Sequence, residues 1–189
     1  MKTRMILTYA AVLALAANAG KATDIWNDPS AWSQGLFAGG TDAPKYTGQE
    51  LSLDLGGSYL NPERGLPHLF DSNIRHGTWG GDVGVNYFFT PQIGIGGDVN
   101  FSAHGDGITD QATGNVILRL PLGNSGLAPY IIGSAGRSMS PIWEWVYGGG
   151  VGLEYRFNPE LGLFSDARYF WADQGLDRLL IRVGLRIVF

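Results

Sequence analysis

Arg178-Leu-Leu-Ile-Arg-Val-Gly-Leu-Arg-Ile-Val-Phe189 is the stretch whose reading decides the fold. Side chains of an extended chain alternate between two faces. Leu179, Ile181, Val183, Leu185, Ile187 and Phe189 therefore share one face, and Leu180, Arg182, Gly184, Arg186 and Val188 share the other. The first face is wholly apolar, and the second carries two guanidinium groups. A soluble sheet buries its apolar face and leaves arginines in water. Here the same pattern recurs upstream, which predicts the reverse: apolar side chains toward lipid and charges toward the inside of a closed barrel.

The opening of the chain agrees with an exported protein. Lys2 and Arg4 precede an almost entirely apolar run, Met5 to Ala17. That is roughly the length of a signal-peptide core and too short to cross a bilayer as a helix. Ala17-Asn18-Ala19 offers a small-x-small cleavage site, with Gly20-Lys21-Ala22 a weaker second choice. The expectation is a cleaved signal peptide over residues 1–19, with no lipid anchor, because no cysteine follows the core. An amino-terminal helix buried in a soluble fold is the alternative, and it does not account for the order of charge, apolar run and small residues.

Composition narrows the class. The 189 residues are one domain's worth of sequence. There is no cysteine, hence no disulfide framework and no thiol chemistry. The net charge of −4 leaves no basic excess for nucleic acid. Beyond the signal no apolar run approaches the roughly 18 residues of a membrane helix. Any crossing must then be made by strands, closed so that no edge meets lipid.

After a polar lead from Thr23 to Gln49, the chain reads as eight strands. Glu50–Leu60 sets Leu51, Leu53, Leu55 and Tyr59 against Ser52, Asp54, Gly56 and Ser58. Trp79–Phe89 sets Val83, Val85, Tyr87 and Phe89 against Asp82, Gly84 and Asn86. Gln92–Ser102 sets Ile93, Ile95, Val99 and Phe101 against Gly94, Gly96, Asp98 and Asn100. Asn115–Leu122 sets Val116, Leu118, Leu120 and Leu122 against Asn115, Ile117 and Arg119. Ala128–Met139 alternates poorly, and its faces stay unassigned. Val146–Phe157 is clean, with Tyr147, Val151, Leu153, Tyr155 and Phe157 opposing Gly148, Gly150, Gly152, Glu154 and Arg156. Leu161–Trp171 sets Leu163, Ala167, Tyr169 and Trp171 against Asp166 and Arg168, and the strand quoted at the outset completes the set.

Turns at Thr90-Pro91, Gly123–Gly126 and Asn158-Pro159-Glu160 fall at one end, with both termini. Longer polar connections, Asn61–Thr78 and Ala103–Gly114 among them, fall at the other. Transmembrane barrels show this asymmetry. Aromatics sort likewise. Trp79, Trp143, Trp145 and Trp171 lie toward the long-loop end, and Phe88, Phe89, Tyr130, Phe157 and Phe189 toward the short-turn end, as in the girdles at the two membrane interfaces.

Two motifs carry a resemblance. Val151-Gly-Leu-Glu-Tyr-Arg-Phe-Asn-Pro-Glu-Leu-Gly-Leu-Phe-Ser-Asp-Ala-Arg-Tyr169 resembles the late hairpin of small outer-membrane β-barrel proteins of the OmpA-like and OmpX-like kind. The ending Arg182-x-Gly184-x-x-Ile187-x-Phe189 resembles the signal those proteins present to the barrel assembly machinery, departing from it at Ile187, where an aromatic is common. The resemblance covers roughly residues 50–189. It implies an all-β, eight-stranded antiparallel up-and-down transmembrane barrel in the outer membrane of a diderm bacterium, and no one activity.

An eight-stranded barrel is just wide enough for its own side chains to fill. The inward faces carry Asp54, Asp82, Asp98, Glu154 and Asp166 against Arg119, Arg156, Arg168, Arg182 and Arg186, one for one. Buried charges must be paired. The expectation is an interior ion-pair network with Asp166–Arg168 and Glu154–Arg156 near its centre, roomy glycines beside it, and a lumen closed to solutes. A narrow charged pore is the competing reading.

An enzyme is the other class. Some small outer-membrane barrels resemble lipid A acylhydrolases, with Ser, His and a carboxylate at the outer rim. The first long loop holds His68, Asp71, Ser72 and His76, and the second His104, Asp106 and Asp110. A Ser–His–acid set serves acyl transfer, but neither spacing matches a motif, and solvated loops are polar anyway. No third metal ligand accompanies His68 and His76 at a recognisable spacing. Leu66–Phe70 and Pro141-Ile142-Trp143-Glu144-Trp145 are apolar for loops and read as membrane anchors or a surface for a ligand. Residues 20–49 read as a periplasmic segment, alternatively a plug, and residues 50–189 as the barrel domain. The resulting expectation is a monomeric barrel with a structural or surface-interaction role, with lipid and the assembly machinery as partners and no cofactor. An outer-leaflet lipid A-modifying acylhydrolase is the alternative function, with a low-conductance pore third, and a soluble lipocalin-like barrel with the opposite faces buried is the alternative fold.

Overall fold

The computed structural model describes residues 46–63, 77–102, 109–123, 125–140, 143–174 and 177–189. The expected signal peptide, most of the 20–49 segment, Leu66–Phe70, His68, Asp71, Ser72, His76, His104, Asp106, Asn124 and Pro141-Ile142 lie outside them. The described residues form eight strands: β1 (Glu50–Glu63), β2 (Thr78–Phe88), β3 (Ile93–Ser102), β4 (Gln111–Arg119), β5 (Leu127–Ser138), β6 (Glu144–Arg156), β7 (Leu161–Ala172) and β8 (Asp177–Val188). Each pairs antiparallel with its sequence neighbour, and β8 closes on β1.

The register sets the barrel's shape. Direct partners lead from Ser52 through Asn86, Gly96, Asn115, Ser134, Gly148, Phe170 and Arg178 back to Pro62, ten residues further along β1. A stagger of that size over eight strands tilts them by about 40° from the barrel axis. Strands of 9 to 14 residues at such a tilt reach across a hydrocarbon layer.

The two faces segregate as the alternation requires. Val151 and Val183 are 64 % and 58 % exposed on the outer wall, while their neighbours Glu154 and Arg182 are 0 % and 3 % exposed inside. Leu55, Ile95, Leu118, Leu163 and Leu185 continue the exposed apolar wall around the barrel. A soluble monomer does not present a continuous apolar surface of this extent. The arrangement suits a protein whose outer solvent is hydrocarbon.

Two aromatic belts bound this wall. Tyr59–Trp79 (centroids 4.9 Å), Tyr147–Trp171 (6.1 Å) and the exposed Trp143 and Trp145 mark the long-loop end. Tyr87–Phe89 (5.1 Å) and Tyr155–Phe157 (5.3 Å) mark the other. Phe88 and Tyr130 do not join the belt expected of them. At 0 % and 4 % exposure they lie inside, packed with Ile117 and Ile132. Phe88 shares the parity of lumen-facing Asn86, so its neighbour Phe89, and not Phe88, reaches lipid.

β4 begins at Gln111, four residues before the expected start. Gln111 and Thr113 face the lumen, so a strand that is polar inside and carries Ala112 and Gly114 outside looks like loop by hydropathy. At its far end the ladder runs on past Arg119: Leu120 N donates to Pro129 O and Leu122 N to Leu127 O, both 2.8 Å. β5 alternates poorly in sequence for a related reason. Its inward face mixes Tyr130 and Ile132 with Ser134, and its outward face mixes Ile131 with Gly133, Ala135 and Arg137.

Spin labels at Val151 and Val183 of the vesicle-embedded protein should collide with dissolved oxygen and stay shielded from a water-soluble nickel chelate. Water accessibility at both positions would contradict the outward-apolar arrangement.

Candidate functional site

The lumen is the candidate site, and its side chains stack in layers. Nearest the short turns, Glu154 is the hub. It accepts from Arg156 Nε (2.7 Å), Arg119 Nη1 (3.3 Å) and Arg186 Nη1 (2.5 Å). Glu50, the first residue of β1, accepts from Arg119 Nη2 (3.0 Å) and from Arg156 Nη1 and Nη2 (3.0 and 2.8 Å). Arg186 also grips Asp54 through Nε and Nη2, both at 2.7 Å, a bidentate fork that lysine lacks. Asn86 adds a third donor to Asp54 at 2.9 Å.

Phe164 separates this layer from the next, with the Arg186 and Arg182 guanidinium carbons 5.4 and 5.3 Å from its centroid. In the middle layer Arg182 donates to Asp166 (3.0 and 2.6 Å) and to both oxygens of Asp82 (2.9 and 3.0 Å). Arg168 links Asp166 (3.1 Å) to Asp98 (2.7 Å). Tyr130 donates its hydroxyl proton to Asp166 (2.9 Å), and Thr113 and Asn115 donate to Asp98 (2.7 and 2.6 Å). Above this, Val146, Phe170, Leu180 and Leu60 form an apolar layer. Arg178 and Glu144 pair at 2.5 Å near the long-loop mouth, where Arg178 also reaches Ser138.

All ten expected network residues thus face the lumen and are paired. The one-for-one balance is corrected, because Glu50, Glu144 and Arg178 join them. Among the described residues seven carboxylates meet six guanidiniums. Parity held the missing signal: Glu50 is in phase with Asp54, Glu144 with Glu154, and Arg178 with Arg182. Glu144 falls in a stretch expected as loop and is the first residue of β6. Glu154–Arg156 lies near the short turns, and the Asp166–Arg168 pair holds the middle.

Tyr46 was not anticipated. It seals the short-turn end, 7 % exposed, with the Arg119 and Arg156 guanidinium carbons 4.6 and 4.5 Å from its ring. Its hydroxyl donates to Gly126 O at 2.7 Å. Burial, with the Glu154 carboxylate close by, raises the phenol above its ordinary range and keeps that proton in place. Gln49, in the left-handed region at φ 60°, turns the chain from this seal into β1.

Glycine makes the space. A Cβ on Gly152 would lie 2.3 Å from the Tyr130 ring, and one on Gly94 2.6 Å from the Phe88 ring. Arg182 and Gly184 of the expected assembly signal face inward, Gly184 opposite Gly56 on the closing seam, while Phe189 is exposed and its amide donates to Leu51 O (2.9 Å). Of His104, Asp106 and Asp110, Asp110 alone is described; it is buried at the mouth of the lumen beside Arg178. Among the described residues no group of three His, Cys, Asp or Glu side chains is arranged to hold a metal ion.

No protein-family model and no curated protein matches the chain by sequence. Solved structures do match by shape. The attachment invasion locus protein Ail of Yersinia pestis, solved with the heparin analogue sucrose octasulfate, is 14% identical at a TM-score of 0.50, covering 75% of this chain and 99% of that one. The N-terminal β-barrel domain of Pseudomonas aeruginosa OprF is 14% identical at 0.50, covering 76% and 99%. The chain has the fold of the small eight-stranded outer-membrane barrels.

Glu154→Ala should cost about 3–5 kcal/mol, since three guanidiniums lose their common partner. The readout is the urea midpoint of the vesicle-folded protein. Gly152→Val should cost about 1–3 kcal/mol by displacing the Tyr130 ring, whereas Gly133→Ala, on the outer wall with open space beside it, should leave the midpoint unchanged.

Proposed function

We propose that this chain is an exported bacterial outer-membrane protein whose closed, salt-bridged barrel serves a structural or surface-interaction role and performs no catalysis. The observation that carries the reading is the filled lumen. Six arginines and seven carboxylates cross-link opposite walls at 2.5–3.3 Å, with apolar layers above and below the middle cluster and Tyr46 at the short-turn mouth. Such an interior stiffens the wall and leaves little width for solute. With the lumen occupied, what remains for interaction is the outer wall and the loops at the long-loop rim.

Residues 1–19 serve in this reading as a cleaved signal peptide, 20–49 as a segment on the periplasmic side ending at the Tyr46 seal, and 50–189 as the barrel. The exposed Phe189 and the Gly184 seam present the terminal strand to the assembly machinery. The barrel works as a monomer with lipid as its constant partner, and a surface ligand engages the rim. Ail, one of the shape neighbours, was solved in complex with the heparin analogue sucrose octasulfate, which is in keeping with a surface ligand here.

Two measurements check the proposal. Cell fractionation should recover the protein in the outer membrane with heat-modifiable gel migration, and planar bilayers containing it should show no stable openings. Recovery from the soluble periplasm would overturn the location. Stable openings that vanish in an Arg182→Ala, Arg186→Ala double variant would replace the closed lumen with a charged pore.

A further inference from the structure

Arg137 stands apart from every arginine of the lumen. It lies one residue from the end of β5, exposed on the outer wall, directly across from Trp145 on β6 and Ala112 on β4. Its guanidinium carbon is 5.2 Å from the Trp145 ring and 5.6 Å from the Trp143 ring, both of which are exposed. No carboxylate pairs with it among the described residues. A cation on a lipid-facing wall is costly, and cation–π contact with two indoles offsets only part of that. Its depth matches the aromatic belt, where lipid headgroups begin.

The wall beneath Arg137 is hollow. Ala135 and Gly133 follow it down β5, with Ala112 and Gly114 alongside on β4. Nothing lies within 4 Å of a Cβ placed on Gly133, and only a backbone oxygen at 3.8 Å near one on Gly114. A shallow groove of about 300 Å³ runs over Gly114, Gly133 and Ala135, with Val116 beside it. Tyr147 stands across from Ala135 on the β6 side. Arg137 and Gly133 are about 13 Å apart along the strand, the length of the upper half of an acyl chain. A cation with no carboxylate partner among the described residues and a shallow apolar depression thus share two strands, the charge at headgroup depth and the depression on its midplane side.

We infer that Arg137, Trp143 and Trp145, with the Gly114–Gly133–Ala135 groove, form a binding site for a phosphate-bearing lipid of the leaflet on the long-loop side. The guanidinium takes the phosphate and the groove takes one acyl chain. Arginine is suited to this by its planar fork, and the indoles hold it against the headgroup layer. The inference rests on the membrane reading above. It also gives the small residues of β4 and β5 a purpose that the lumen does not.

The test uses the full chain, folded in detergent and examined by native mass spectrometry with added phosphatidic acid or diacylglycerol of the same chains. Wild type should retain phosphatidic acid about fivefold more than diacylglycerol, the effect of one well-placed cation. Arg137→Gln should abolish that preference, Arg137→Lys should keep part of it, and Gly133→Leu should weaken retention of both lipids alike. An unchanged preference in Arg137→Gln overturns the site, as does displacement of phosphatidic acid by inorganic phosphate alone. A dimer that Gly133→Leu dissociates would assign the groove to a second copy of the chain instead. Insertion into phosphatidylcholine vesicles separates the two readings. Insertion without lipid preference overturns the site only, and failure to insert overturns the membrane reading with it.

Discussion

Glu154 binds three guanidinium groups at the centre of the lower lumen, and the rest of the structure is arranged so that it can. Arg119, Arg156 and Arg186 come from β4, β6 and β8, so one carboxylate ties together strands from different sides of the barrel. None of these charges is tolerable away from water unless the others are within reach. A lumen of eight strands has the width at which they are. Fewer strands would leave no room for an arginine, and a wider barrel would hydrate each charge separately.

The same constraint accounts for where glycine and aromatic residues fall. Inward glycines such as Gly152 and Gly94 lie against a ring on the neighbouring strand, so that Tyr130 and Phe88 can share the interior with the long arginines. The apolar layers around Phe88 and around Phe170 fill the space that charges cannot use without a partner. A wall cross-linked from within in this way has little freedom to open. On the proposed function, recognition falls to the outer surface, where Arg137 breaks the apolar wall.

Much of this was legible before the strands were paired. The alternation of β6 and β8 assigns both faces outright, because nearly every outward position is aliphatic or aromatic, while the inward ones are mostly glycine or charged, with Val146, Leu180 and Val188 the apolar exceptions. Ten network residues follow from parity. Where the reading stopped short, the reason is local. β4 starts among Gln111 and Thr113, whose polarity suits a lumen as well as it suits a loop. β5 mixes both kinds of residue on both faces, since its inner side packs against Phe88 and its outer side is hollowed under Arg137. Phe88 and Tyr130 look like belt aromatics until parity is counted from Asn86 and from the β5–β6 register.

The order of residues, by itself, determines that strands form, which way each one faces, and that the protein's exterior must be oily and its interior ionic. These follow from a period of two, which needs no partner to be visible. Which carboxylate meets which arginine is decided only when the barrel closes. Arg186 is 132 residues from Asp54 in the chain, and Arg156 is 106 from Glu50. The ten-residue stagger between the first and last strands brings those groups to the same height. Stagger is a property of the whole ring of strands, with no counterpart in any single one of them.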